Sequence, residues 1–307
     1  MAVNKYRIKK WFNMLTGRSL LHVRQDIGGI FSCLEIKGYY NNLTEKVLKD
    51  KENINVVDYI PNFQTEKGEI VLFPITIFQY GLGCYDLYLT TQNDLYLKKF
   101  VTCAEWALGN QLDTGAFDCM LFIYPNNPYS AMCQGEGVSL LIRAYVELKE
   151  EKYYKAAQRA LEFMLRPLDE GGTAKYENEK ILLMEYTHLP VVMNGWIFAL
   201  FGLFDWTLVC KEEKYKTIFK QCIQTLADSL GKFDCGYWTK YDEDKKIASP
   251  FYHNLHIAQM EALQQITGEE IFGEYAMRWR KYQKNPFKKG YAFCKKAFQK
   301  IAECNLQ

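Results

Sequence analysis

The chain is 307 residues long, 49% hydrophobic and nearly neutral, with a formal net charge of +2. That length and apolar content allow one large domain or two small ones around a sizeable core. So small a charge excludes the long-range basic field on which nucleic-acid binding rests, and no run of about 18 apolar residues is present to cross a bilayer.

Ten cysteines, at 33, 84, 103, 119, 133, 210, 222, 235, 294 and 304, show no C-x-x-C and no Cys/His ligand spacing. They read as free thiols in a reducing compartment, so a cytoplasmic protein without a bound metal is expected. No apolar segment follows Met1, and no secretory signal is expected.

Residues 1–69 read as an N-terminal arm rather than a domain. Lys5, Arg7, Lys9, Lys10, Arg18 and Arg24 surround Trp11, Phe12 and Leu15. Such a stretch either touches an anionic membrane surface or packs on the domain by its aromatic side, the commoner use. Residues 38–68 are polar and irregular, with N-N-L-T and D-K-E-N clusters.

Residues 70–307 read as one unit built on a repeat. Helical patterns at 73–90, 129–148, 192–210 and 252–267 are each followed by a polar turn and a second helix, at 95–109, 153–165, 215–230 and 271–283. Taking Asn93, Glu151, Glu213 and Glu269 as turn markers, the spacings are 58, 62 and 56 residues (151−93, 213−151, 269−213). Leu140, Leu141, Ala144, Tyr145 and Leu148 mark an apolar helix face. The first helix of each pair is the more apolar, and the second carries Lys and Glu on one face. This is the pattern of an all-α fold, an (α/α) barrel or toroid of about four helical hairpins behind a short arm. An open solenoid is the alternative.

In such a ring the short turns share one end and the long connections share the other. The long connections here are about 110–128, 166–191 and 231–251, with an approach at 60–72. They exceed the usual connection length and are rich in aromatics, which disorder does not explain. They hold Asp113, Asp118 and Tyr124, then Glu185, Tyr186 and His188, then Tyr237, Trp238 and Tyr241. All would converge over the N-termini of the inner helices, whose free N–H groups and positive dipole ends favour an anion.

The last inner helix begins in S-P-F-Y-H-N-L-H-I-A-Q-M, from Ser249 to Met260. Ser249 is a candidate N-cap and Pro250 suits the first helical position. Tyr252, His253 and His256 follow within two turns, and the two histidines are either plain hydrogen-bonded helix residues or part of a site. On the second inner helix, Gln134 and Arg143 either face the cavity and hold a carboxylate or are buried and paired between helices.

Tyrosines beside carboxyl groups suit proton movement at carbon. A proton α to a carboxylate is weakly acidic, so removing it needs a base and stabilisation of an enediolate-like charge. Acid/base groups on opposite faces give epimerisation, and one base with leaving-group protonation gives β-elimination. Paired carboxylates without tyrosine would point to glycoside hydrolysis.

At these residues the chain resembles the catalytic C-terminal domain of the D-glucuronyl C5-epimerases, which act on heparosan and heparan sulfate. The similarity covers roughly residues 70–283. It rests on F-P-I-T-I-F-Q-Y-G-L-G from Phe73, on Y-S-A-M-C-Q-G-E-G-V-S-L-L-I-R-A-Y from Tyr129, and on M-E-Y followed by V-M-N-G-W-I-F-A-L-F-G-L-F-D. It continues through F-D-C-G-Y-W-T-K-Y-D to Y-H-N-L-H-I-A-Q-M and ends at Arg278 and Trp279. The resemblance implies an (α/α) barrel of four hairpins, a homodimer, and conversion of D-glucuronate to L-iduronate in a polysaccharide without an organic cofactor. It implies Glu185, Tyr186, Tyr241 and Tyr252 as the catalytic centre. Tyr252 would work on one face of the sugar, Glu185 or Tyr186 on the other, and Tyr241 would assist by hydrogen bonding. His253, His256, Asn194, Gln134, Arg143 and Tyr129 are expected substrate contacts. Where the family carries an arginine after the T-x-Y-D tyrosine, this chain reads Y-D-E-D-K-K with Asp244 near that place, so either Lys245, Lys246 or Lys240 is the expected replacement cation or carboxylate binding is altered. The family's animal enzymes also carry a β-rich N-terminal region where only about 70 residues precede the barrel here.

The reading is therefore a uronate C5-epimerase-like enzyme acting on a uronate-containing polysaccharide or oligosaccharide. A polysaccharide lyase or glycoside hydrolase on the same ring is the alternative, as is a non-catalytic glycan-binding protein.

Overall fold

A computed structural model describes residues 12, 19, 22–65 and 68–305. Lys5, Arg7, Lys9, Lys10, Trp11, Leu15 and Arg18 of the basic stretch lie outside the described residues. A short helix, α1 (Thr44–Leu48), and a two-stranded pair, β1 (Phe63–Gln64) and β2 (Ile70–Val71), precede the ring. Four hairpins follow: α2 (Pro74–Thr91) with α3 (Asp94–Asn110), α4 (Ala131–Leu148) with α5 (Glu151–Leu165), α6 (Met193–Val209) with α7 (Glu213–Ser229), and α8 (Pro250–Thr267) with α9 (Glu270–Lys284). The antiparallel strands β3 (Ala174–Glu177) and β4 (Lys180–Leu183) interrupt the second long connection. A further helix, α10 (Pro286–Asn305), ends the described chain.

The helix boundaries follow from local chemistry. Pro74 and Pro250 occupy the first turns of α2 and α8, where a missing N–H costs no hydrogen bond. Asn93 caps α3 by accepting from Leu95 N–H, and Ser249 caps α8 by accepting from Tyr252 N–H. Gly268 ends α8 with a φ of 75°, a left-handed conformation that glycine adopts without strain.

Composition separates the two rings of helices. α6 is buried continuously from Met193 to Trp206, while α7 buries only one stripe, with Tyr215, Cys222, Ile223 and Leu226 among it. The inner helices pack in order, α2 on α4, α4 on α6 and α6 on α8, and each outer helix lies on its own inner partner. The α4–α6 crossing is close because glycines meet there. A Cβ on Gly135 would sit 2.5 Å from the Ala199 Cα, and one on Gly202 would sit 2.2 Å from the Gly135 carbonyl oxygen. The expected all-α toroid of four hairpins is the observed architecture.

The arm is built into this ring. Tyr39, Tyr40, Leu43 and Val47 belong to the same apolar core as the inner helices. Asn254 of α8 donates to Asp26 at 3.2 Å, the Cys33 thiol donates to the Gln265 carbonyl, and α1 packs on α2. The arm thus spans the seam between the last inner helix and the first. It also fills the end of the axis where the inner helices finish. There Arg143 donates to Asp205 at 2.6 Å, to the carbonyls of Lys37 and Gly38 at 2.9 and 3.0 Å, and to Ser139. Tyr40 completes the cluster by donating to the other Asp205 oxygen at 2.7 Å, and Asp86 accepts from Tyr39 N–H at 2.9 Å.

Candidate active site

The catalytic candidates are brought together by hydrogen bonds that stitch the long connections to the starts of the inner helices. Ala131 N–H, at the head of α4, donates to the Met184 carbonyl at 2.8 Å and so fixes the chain next to Glu185. Met193 N–H, at the head of α6, donates to the Tyr241 carbonyl, and Glu243 N–H donates to Val191. Val192 and Asp242 bridge the same two segments. Free donors at helix starts need partners, and here the site's own loops supply several of them.

Glu185 is seated by a missing side chain. A Cβ on Gly195, in the first turn of α6, would lie 2.2 Å from Glu185 Oε2 and 2.6 Å from its Cβ. The N-G pair of the sequence is therefore the floor on which the Glu185 carboxyl rests. Tyr241 donates to Glu185 Oε1 at 3.5 Å, and the Tyr241 and Tyr252 rings meet at 4.8 Å. Tyr186 is the next residue in the chain, and its phenol acts on the Glu185 carboxyl. Tyr124 packs its ring on Tyr186 at 5.8 Å and on His188 at 4.7 Å, forming one rim.

The electrostatics follow from burial. Glu185 is 5% exposed, and loss of water pushes its carboxyl up to about 7 even though the Tyr186 and Tyr241 hydroxyls pull the other way. The Glu185 charge, followed by burial, raises Tyr186 above the ordinary tyrosine range. Burial raises Tyr241 and Tyr252, and the Glu185 charge adds to both. Near neutral pH the carboxyl is thus poised to exchange a proton while the phenols keep theirs.

The two histidines sit below this cluster in a fixed chain. Trp238 stacks on His253 at 3.5 Å. His253 Nε2 lies 3.1 Å from the Trp279 carbonyl, which can only accept, so that nitrogen carries the proton. His253 Nδ1 must then accept from the Thr239 hydroxyl at 2.9 Å. Thr239 Oγ1 in turn accepts from His256 Nδ1 at 3.0 Å, and His256 Nε2 is left unprotonated. Burial lowers both rings, His253 to about 3, so both are neutral. They orient the start of α8 and do not supply a cation.

The other expected substrate contacts separate. Asn194 lies at the site beside Gly195, with its Oδ1 buried and unpartnered. Gln134 does not face a cavity. It clamps the first long connection, accepting from Phe117 N–H at 3.0 Å and donating to the Phe117 carbonyl at 2.9 Å. Arg143 is 1% exposed at the far end of the axis and bound to Asp205, which is the buried, paired alternative. Tyr129 packs edge-on against Phe163 of α5 at 4.8 Å. Lys245 is exposed, with its carbonyl accepting from Gln299 of α10. Lys240 is half-buried in a bridge to Ile247, where its charge acts on Cys235. Neither lysine is among the influences on Glu185.

Two residues beside the site had no strong sequence signal. His22, in the arm, places its ring edge 5.2 Å from Phe251 and 6.1 Å from Tyr252. Glu136, in α4, is fully buried and accepts from Gln79 at 2.7 Å. The acidic residue inside Q-G-E-G, in a helix otherwise apolar, was the visible clue to the second.

A family model described as the D-glucuronyl C5-epimerase C-terminus matches residues 120–281. The D-glucuronyl C5-epimerase of Caenorhabditis elegans is 26% identical over 238 residues, covering 68% of this chain and 37% of that protein. An uncharacterized protein of Methanocaldococcus jannaschii is 29% identical over 156 residues, covering 49% of this chain and 51% of that one. The chain therefore spans about half or less of the length of these relatives. Among solved structures, an unsaturated glucuronyl hydrolase specific for heparin overlays with a TM-score of 0.49 and 12% identity, over 78% of this chain and 66% of that one.

Proposed function

The chain belongs to the family of the D-glucuronyl C5-epimerase C-terminus, and from that premise we propose that it epimerises D-glucuronate residues at C5 in a heparosan-like polysaccharide. The observation that carries this reading is the convergence of Glu185, Tyr241 and Tyr252 at the heads of the inner helices. A carboxyl poised near 7 is a base of suitable strength at neutral pH, and a phenol that retains its proton is the matching acid.

In the forward direction Glu185 takes the C5 proton from one face. The bonding pair moves into the sugar carboxylate as an enediolate, and Tyr252 gives its proton to C5 on the other face. Glu185 is then protonated and Tyr252 is a phenolate. Tyr241, which donates to Glu185 Oε1 and lies with its ring against Tyr252, returns the proton from Glu185 to Tyr252. Tyr186 steadies the Glu185 carboxylate. The N-terminal ends of α4, α6 and α8 supply a positive field at the sugar carboxylate.

The test is incubation of a glucuronate polymer with the protein in D₂O. Deuterium should appear at C5, and Tyr252→Phe should lower its rate by about 10²–10⁴-fold with the fold kept. Failure to exchange any uronate polymer would overturn the reading, and an unsaturated product would move it to elimination. No helix among the described residues is long and apolar enough to cross a membrane, and the nine cysteines described are free thiols. The free thiols fit the reducing, cytoplasmic setting that is part of the proposal.

A further inference from the structure

Helix α10 seats on the ring by one face and leaves another uncovered. On the seated face, Lys288 donates to the Gly236 carbonyl at 2.9 Å and Lys295 to the Tyr237 hydroxyl at 3.1 Å. Ala292 is buried with Trp238, Ile247 and Ala248. Gln299 accepts from Ile247 N–H at 2.9 Å and donates to the Lys245 carbonyl at 2.7 Å. These four residues follow one another at intervals of four, three and four, the spacing of a single helix face. The segment they hold is the third long connection, which carries Tyr241.

The uncovered face is as regular. Phe287, Cys294, Phe298 and Ile301 are spaced seven, four and three residues apart (294−287, 298−294, 301−298). Phe287 is 86% exposed, Phe298 73% and Ile301 50%, and Cys294 is an exposed free thiol. The stripe runs about 21 Å along the helix at 1.5 Å per residue. Single exposed apolar side chains are ordinary on a protein surface, but an aligned row of this length marks a contact face.

Charge decides what covers it. Between 275 and 302 stand nine lysines and arginines and no acidic residue. Five of those lysines lie in α10, whose one acidic residue is Glu303, a balance of +4 (5 − 1) in a chain of net charge +2. The remainder of the chain therefore carries −2 (2 − 4). Helical spacing sets Lys288 and Lys295 on one side of the apolar stripe, and Lys289, Lys296 and Lys300 on the other. A second copy laid on this face would bring two such sets of lysines together, and like charges in contact repel. An anionic lipid surface satisfies both features: aromatic and aliphatic side chains enter the boundary between headgroups and acyl chains, and flanking lysines reach the phosphates.

The geometry points to α10 as a peripheral membrane helix that lays Phe287, Phe298 and Ile301 into an anionic lipid surface, beside the loop that bears Tyr241. The cytoplasmic leaflet, with its negative surface potential, is a surface of that kind. This inference does not depend on the reaction assigned to the site.

The experiment is co-sedimentation of the whole chain with phosphatidylcholine vesicles, with and without a third of phosphatidylglycerol. The chain should bind the anionic vesicles, leave them as salt is raised, and bind the neutral ones about tenfold or more less tightly. Phe287→Ser combined with Phe298→Ser should weaken binding about tenfold or more. The thermal midpoint should not move, because both rings are exposed. Lys289→Gln should weaken binding roughly fivefold. No binding to anionic vesicles overturns the proposal. Undiminished binding by the double phenylalanine variant also overturns it, and would move the contact to the basic N-terminal stretch or to a purely electrostatic site. A chain that binds no vesicle but forms a dimer lost in that variant would give the face to a second copy instead.

Discussion

The two ends of the ring axis hold ionisable groups in opposite states: at one the Arg143–Asp205 ion pair is saturated, although the Tyr39 and Ser139 hydroxyls and the Trp206 indole N–H near it have no partner, and at the other the Glu185 carboxyl keeps one oxygen unpaired. At the end where the inner helices finish, Arg143 uses its donors on Asp205, Ser139 and two arm carbonyls, and Tyr40 takes the remaining Asp205 oxygen. At the end where they begin, Glu185, Asn194 and His256 each keep a buried polar atom without a partner. A saturated buried network rigidifies a fold, whereas unmatched buried groups cost stability and call for a ligand, a water or a proton. One end locks the arm into the ring, and the other is left open to chemistry.

Breaking the saturated end should have the largest effect. Arg143→Met leaves Asp205 buried and uncompensated, with an expected loss of about 3–5 kcal/mol in urea unfolding. Adding Asp205→Leu should recover part of that loss, because an apolar pair replaces an ion pair at little cost. A single variant no less stable than the wild type would remove the distinction between the ends.

At the open end, Gly195→Ala should act on activity instead. The new methyl group displaces the Glu185 carboxyl, and a shift of about 1 Å in a reacting group costs on the order of 10²-fold in rate. Helix propensity alone would make the same change mildly stabilising, so a variant that unfolds earlier yet exchanges normally would contradict the seat described for Glu185. Back at the saturated end, Tyr40→Phe removes one donor to a charged acceptor, worth about 1.5–3 kcal/mol, with no direct effect on exchange.

The smallest effect sharpens the comparison through pH. Glu185 titrates at about 7 in the fold against about 4.3 in an unfolded chain. The folded state therefore holds the proton more tightly, and this contribution to stability is complete below about pH 4.3 and lost as pH rises through 7. Glu185→Gln should then gain on the wild type between pH 5 and 8 when unfolding is followed at several pH values. An equal or greater loss for the variant over that range would show that Glu185 is paired in the fold.

Much of the architecture was legible before any coordinates. The turn markers Asn93, Glu151, Glu213 and Glu269 and the apolar inner helices defined four hairpins, and the observed helix limits fall within two residues or so of the patterns. Period and punctuation are local properties, so a single sequence displays them. The β3–β4 hairpin and α10 were not legible. The first is short and partly polar, and the second is a helix with exposed Phe287 and Phe298, which offers no clean buried stripe to recognise.

For the site, sequence determined the cast, and tertiary structure decided the roles. Glu185, Tyr186, Tyr241 and Tyr252 could be named from motif and topology. Whether Arg143 held a sugar or a neighbouring helix could not, because a buried arginine looks the same in sequence whether its partner is a ligand or Asp205. The arm changed most. Its polar, irregular composition marked it as an arm rather than a domain, yet Tyr39 and Tyr40 join the core of the ring and Lys46 is buried. Long-range contacts of that kind depend on where the inner helices leave space, and that space exists only once four hairpins distant in sequence have closed around it.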